Sequence, residues 1–146
     1  MPDHKPTVLF LCTANTCRSQ IAEGLLRHLA GDRFEVISAG LAPGEAVHPL
    51  ALQVLNEKGI DTAGLRPKHV REFLGKVHIR TAITVCARAA ETCPETWPGP
   101  VEQLFWPIDD PAAAEGTETE RLATFRRARD TIEARISEWL AGLKQD

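Results

Sequence analysis

Hydrophobic and polar positions divide this chain into short apolar runs and longer segments of helical period. Thr7-Val-Leu-Phe-Leu11 is continuously apolar, which predicts a strand buried on both faces. From Gln20 to Ala30 apolar residues return at helical spacing, at Ile21, Leu25 and Leu29, and Gly31 follows as a C-cap. Phe34-Glu-Val-Ile-Ser38 predicts a second strand, closed by Ala39-Gly40. Pro49 to Lys58 predicts a helix with Leu52 and Leu55 on one side, ended by Gly59. A short helix is expected from Lys68 to Leu74, after Pro67. Thr81-Ala-Ile-Thr-Val85 predicts a third buried strand, with Cys86 at its C-terminal end. Residues 87–100 carry three prolines and a glycine and read as a long, functional loop. Val101 to Trp106 predicts a fourth strand, Pro107 to Pro111 a turn, and Glu118 to Leu143 one long helix. Its apolar positions are Leu122, Phe125, Ile132, Ile136, Trp139 and Leu143, and the stretch Arg121 to Arg129 is expected to be its wet face.

Strands alternating with helices predict an α/β fold: a four-stranded parallel sheet with helices on both faces. The 146 residues contain no internal repeat and no linker, so a single domain over 1–146 is expected, with residues 1–6 as a loose tail. In such sheets ligands bind beyond the carboxyl ends of the strands. Cys12, Cys86 and the Asp109-Asp110 pair all fall at such ends. Three reactive elements distant in sequence are therefore expected to converge.

Composition narrows the chemistry. Hydrophobic residues are 43% and charged residues 25%, which argues against disorder. The longest apolar run near the N-terminus, Val8 to Cys12, is too short to cross a membrane or form a signal-peptide core, so no membrane association and a cytoplasmic location are expected. A net charge of -3 gives no nucleic-acid footprint, and a small anion would need a local positive pocket. Four cysteines stand in this reducing setting: Cys12, Cys17, Cys86 and Cys93. Metal binding, catalysis or redox chemistry explains such cysteines more readily than structural bridges do. There is no tyrosine.

The loop Cys12-Thr13-Ala14-Asn15-Thr16-Cys17-Arg18-Ser19 joins a buried strand to a helix N-terminus. There, backbone N–H groups and the helix macrodipole favour an anion, and successive N–H groups can form a nest around a tetrahedral oxyanion. Arg18 adds a permanent planar charge suited to bidentate oxygen binding. The same field is expected to lower the Cys12 thiol, with Ser19 donating its hydroxyl to the sulfur. Against this stands a plainer reading, a buried cysteine ending a strand and an exposed arginine opening a helix. Asp110, directly before Pro111, suits a general acid whose proton affinity a nearby anion would raise. Asp-Pro is also a common turn signal. The spacings of Cys12/Cys17 and Cys86/Cys93, with four and six intervening residues, fit structural zinc poorly. The five histidines show no metal spacing.

The cysteine-arginine loop resembles the phosphate-binding loop of low-molecular-weight protein tyrosine phosphatases. That resemblance implies Cys12 as nucleophile, Arg18 as oxyanion clamp, and Asn15 and Ser19 as residues that order the loop. Cys17 then matches the family's second loop cysteine, with a structural or protective role. It also implies Asp110 as the acid. Those phosphatases commonly follow the Asp-Pro with tyrosines that wall an aromatic pocket, whereas here Ala112, Ala113 and Ala114 follow.

The segment from Val85 through Cys86 and Cys93 to Pro94, with Trp106-Pro-Ile-Asp-Asp-Pro111, more closely resembles thioredoxin-coupled arsenate reductases, which share that fold. This resemblance, over about Thr7 to Trp139, implies reduction of arsenate held by residues 13–19, a loop that would also accept phosphate or sulfate. It implies a Cys12–Cys86 disulfide, then a Cys86–Cys93 disulfide, regenerated by thioredoxin, with the 87–100 loop rearranging so that the thiols can meet. No bound cofactor, no catalytic metal and a monomer are expected. Some of these reductases bind potassium. Asn15, Glu23 and Ser38 match three of the positions, while Lys68 stands where an Asp would be. An ammonium in the cation's place, paired with Glu23, is expected to remove the need for potassium. A simply solvated Lys68 is the alternative. A phosphatase acting through a Cys12 phosphoenzyme, and a non-enzymatic zinc or anion-binding module, remain competing readings.

Overall fold

A computed structural model describes residues 5–86 and 101–143. Cys93 and the 87–100 loop lie outside the described residues. Strand β1 (Thr7–Cys12) leads into helix α1 (Arg18–Ala30), β2 (Glu35–Gly40) and α2 (Pro49–Asn56). A single 3-10 turn (Val70–Glu72) precedes β3 (Ile79–Thr84), then β4 (Glu102–Phe105), a second 3-10 turn (Pro111–Ala113) and α3 (Glu118–Leu143). The strands form one parallel sheet in the order β2-β1-β3-β4.

β1 is buried at all six positions, as its unbroken apolar run requires. Its alternate side chains feed two cores. Val8, Phe10 and Cys12 join Ile21 and Leu25 of α1, Val54 of α2, and Phe125, Ile132 and Ile136 of α3. Leu9 and Leu11 pack with Val70, Ile79 and Ala82 on the other face. All three α-helices of the described residues contribute to the first core. The second face is closed by the 3-10 turn with Phe73 and Leu74, not by the expected helix over Lys68 to Leu74.

Other departures are local. α1 begins two residues earlier than its apolar period predicts, because the loop before it delivers Arg18 directly into the first turn. Leu29 is exposed, and Leu26 takes its place in the core. β2 and β4 are each shifted or shortened by one or two residues. The arginine-rich stretch of α3 is not uniformly wet. Arg129 is buried and donates to Val54 O at 3.0 Å and to Glu57 Oε1 at 2.9 Å, so a cation caps the C-terminal end of α2. Arg126 pairs with the same carboxylate at 2.6 Å.

The chain passes from β1 to β2 on one side and reaches β3 on the other. This reversal opens a crevice at the carboxyl ends of β1 and β3, the place where parallel sheets bind ligands.

Candidate active site

Residues 13–17 connect the end of β1 to the start of α1 and wrap around a pocket of about 250 Å³. Cys12, Thr13, Ala14, Thr16, Cys17 and Arg18 line it, with Asp110 and Ala112 at its side. Asn15 makes the bend with φ 56°, a left-handed conformation that Asn tolerates better than most side chains.

A second loop, residues 41–48, holds the first from outside. The N–H groups of Leu41, Ala42, Gly44 and His48 donate to the carbonyls of Cys12, Thr13, Ala14 and Thr16 at 3.3, 2.9, 2.9 and 2.9 Å. With those carbonyls engaged outward, the loop's own amides are left to face the pocket. Gly40 permits this approach. A Cβ there would lie 2.5 Å from Thr13 O.

Cys12 ends β1 at the pocket floor and is 3% exposed. Its sulfur receives the Asn15 N–H at 3.2 Å and lies 2.8 Å from Ser19 Oγ. Asn15 Nδ2 donates to Ser19 Oγ at 2.7 Å and to Ser38 Oγ at 3.0 Å. Ser38 in turn donates to Glu23 Oε1 at 2.6 Å. Asn15 Nδ2 thus occupies an acceptor site on Ser19, leaving the serine proton for the Cys12 sulfur. The expected lowering of the Cys12 thiol is overturned. Burial dominates and pushes it up, while the hydrogen bonds from Ser19 and Asn15 pull it down without prevailing.

Beneath the loop, Glu23 and Lys68 are both buried, with Lys68 Nζ 3.4 Å from Glu23 Oε1 and 2.7 Å from Arg66 O. The simply solvated Lys68 does not hold. A potassium ion does not fit this donor set, because the ammonium already faces the carboxylate. Arg27 completes the cluster, donating to Glu23 Oε2 at 2.6 Å. Lys68 N also donates to Asn15 Oδ1 at 2.9 Å, tying this layer to the bend.

Arg18 Nη1 donates to Ile108 O at 2.9 Å, and Nη2 lies 3.9 Å from Asp110 Oδ2. The arginine therefore links the loop to the Asp110 turn, where Asp110 Oδ1 accepts from Ala112 N at 3.0 Å. Asp109 does not line the pocket. Cys86 follows β3, its sulfur 3.5 Å from Thr13 Oγ1. Cys17 carries a buried thiol pushed up to about 11, mainly by desolvation. Among the described residues no group of three His, Cys, Asp or Glu side chains could hold a metal ion.

The 41–48 loop and Gly40 were not identified from the sequence as parts of the site. Nor was Gln20, whose Nε2 bridges Asn15 O and Arg66 O at 2.9 and 2.8 Å. His48-Pro49, a possible helix start after a loop containing Pro43-Gly44, was the one available signal.

This geometry agrees with what the chain resembles. It is 42% identical over 134 residues to the arsenate reductase of Halalkalibacterium halodurans, covering 91% of this chain and 94% of that protein. An arsenate reductase solved in its phosphate-binding state superposes with a TM-score of 0.74 at 28% identity, covering 94% of this chain and 98% of that one. The thioredoxin-dependent arsenate reductase of Corynebacterium glutamicum gives 0.73 at 30% identity, covering 99% of this chain and 65% of that one. Residues 7–146 match the family model described as low molecular weight phosphotyrosine protein phosphatase. The match spans nearly the whole chain, and the chain that carries this cysteine, arginine and Asp-Pro turn belongs to the low molecular weight phosphotyrosine protein phosphatase family.

Proposed function

We propose that this chain reduces arsenate to arsenite, with Cys12 as nucleophile and Cys86, Cys93 and thioredoxin returning the electrons. The observation that carries this reading is the second thiol at the loop, Cys86, with its sulfur 3.5 Å from Thr13 Oγ1. Leu11 pairs with Thr84, so Cys12 and Cys86 leave adjacent strands at the same end. A phosphatase needs only one thiol. Ala112 lines the pocket and offers no ring to an aryl group, which supports a small inorganic substrate over phosphotyrosine.

The chemistry balances with these residues. The inward amides of residues 13–19 and the Arg18 guanidinium hold the arsenate oxygens. Cys12 is kept protonated by burial, so its proton passes to an arsenate oxygen as the sulfur–arsenic bond forms. Asp110 protonates the departing hydroxyl, which leaves as water. Cys86 attacks Cys12 Sγ, and its thiol proton passes to an oxygen of the departing arsenite. A sulfur–sulfur bond forms, the arsenic–sulfur bond breaks, and its electron pair stays on arsenic, now arsenic(III). Cys93 attacks Cys86 Sγ and releases Cys12, which regains a proton. The dithiol of thioredoxin reduces the Cys86–Cys93 disulfide. The Lys68 ammonium beside Glu23 makes potassium unnecessary. Such a relay works as a single-domain monomer in the reducing cytoplasm. Phosphate and sulfate, also tetrahedral oxyanions, compete for the same loop.

The test is arsenate-dependent NADPH oxidation coupled through thioredoxin and thioredoxin reductase, with wild type beside Cys93→Ser. Turnover by the wild type and a single reaction by the variant are expected. Repeated turnover by the variant would remove the relay. Aryl-phosphate hydrolysis by both proteins, without arsenate turnover, would make the chain a phosphatase.

A further inference from the structure

The loop that holds the oxyanion site from outside ends on a titratable side chain. His48 is the N-cap of α2. Its Nδ1 accepts the Leu50 N–H at 3.1 Å, and its own backbone N–H donates to Thr16 O at 2.9 Å. Thr16 lines the pocket. The imidazole rests on the Phe125 ring of α3, with centroids 4.7 Å apart. One residue thus joins the start of α2, the face of α3 and the oxyanion loop.

The cap works in one protonation state. Nδ1 can accept from Leu50 only as an unprotonated nitrogen, which places the ring proton on Nε2. A second proton would put two N–H groups face to face and remove the cap. It would also place a cation at the positive end of a helix. We propose that His48 is a positioning residue of the oxyanion loop, holding Thr16 in place through the α2 cap when neutral and loosening it when protonated.

The charges facing His48 are few. Burial is the largest influence and opposes its protonation, Arg121 of α3 opposes it as well, and Asp110 favours it. Together they keep the ring neutral below its ordinary range. The oxyanion site is therefore expected to bind its ligand fully at neutral pH and to weaken as pH falls below the ordinary histidine range. This rests on the reading of the pocket as an oxyanion site.

Sulfate is the suitable probe, because it stays a dianion throughout the range and its own titration adds nothing. The measurement is sulfate affinity by calorimetry from pH 7.5 to 5.0, for the wild type, His48→Asn and His48→Ala. Asn caps a helix without titrating. His48→Asn keeps every other ionisable side chain of the wild type, so the comparison isolates position 48. Relative to His48→Asn, the wild type is expected to lose about fivefold in affinity across the range, the factor that one helix cap represents. His48→Ala is expected to bind about fivefold more weakly than the wild type at pH 7.5, with no such relative loss on acidification. Parallel curves for wild type and His48→Asn would overturn the inference while leaving the oxyanion site intact. So would full affinity in His48→Ala at pH 7.5. Sulfate binding to none of the three would remove the oxyanion reading itself, and this inference with it.

Discussion

The side-chain amide of Asn15 donates to the hydroxyl of Ser19 at 2.7 Å, and that contact sets which way the serine proton points. With one of its acceptor sites filled, Ser19 has Cys12 Sγ as its acceptor at 2.8 Å. Glu23 anchors the other end of the chain through Ser38. A carboxylate under the loop thereby orients a donor at the nucleophile without touching it.

Ser19→Ala removes the side-chain hydrogen bond that most strongly opposes the desolvation of Cys12. Losing a hydrogen bond to a charged group costs about 1.5–3 kcal/mol, so the Cys12 thiol should be pushed up further. The pH dependence of iodoacetamide alkylation at Cys12 reads this directly. An unchanged profile would mean that Ser19 does not serve the sulfur. Asn15→Ala is expected to act in the same direction.

Gly40 carries a different constraint. A Cβ there would meet Thr13 O at 2.5 Å, and backbone cannot move aside as a flexible side chain can. Gly40→Ala should push the 13–15 bend outward and turn its amides away from the ligand. About a tenfold or greater loss of sulfate or arsenate affinity is expected, comparable to removing one preorganised donor. The sheet should remain folded, because Gly40 is the last residue of an edge strand. Affinity within twofold of wild type would show that the loop relaxes without loss.

How far the sequence revealed this depends on what each residue must do. β1 and the nucleophile loop were legible because an apolar run and a helix start bracket them, and both follow from local chemistry. The convergence of Cys12, Cys86 and Asp110 followed from the parallel sheet alone. The outer loop was not legible, since its work is done by backbone N–H groups of Leu41, Ala42, Gly44 and His48, which carry no side-chain signature. Arg129 reads as a surface charge until α2 supplies Val54 O and Glu57. The direction of the Cys12 shift was misjudged because helix dipole and donors can be inferred from a motif, whereas the depth of burial cannot.

Lys68 and Glu23 make a prediction about ions. The ammonium sits 3.4 Å from Glu23 Oε1 with both side chains buried. Replacing potassium by sodium at constant ionic strength should leave kcat/KM for arsenate within twofold. A strong potassium requirement would contradict the geometry. Lys68→Ala leaves Glu23 with Arg27 as its remaining cation, so it should cost about 2 kcal/mol of stability, less than the 3–5 kcal/mol of a buried pair broken outright. Urea denaturation measures that cost.

Cys17 predicts how the fold responds to alkali. Its buried thiol is pushed up to about 11, mainly by desolvation, against an ordinary value of 9.0. The unfolded chain therefore loses this proton first. The stability that the neutral thiol contributes is complete below pH 9 and is lost progressively as pH rises through 11, with a slope of up to about 1.4 kcal/mol per pH unit between those values. No tyrosine is present to titrate in the same window. Cys17→Ala should flatten the fall in urea midpoint between pH 9 and 11 relative to wild type. Every other ionisable side chain is common to the two proteins, so the difference isolates Cys17. Cys12, also pushed up by burial, adds a slope of the same sign that persists in the variant. Identical slopes for the two proteins would mean that Cys17 ionises in the folded state as readily as in the unfolded chain.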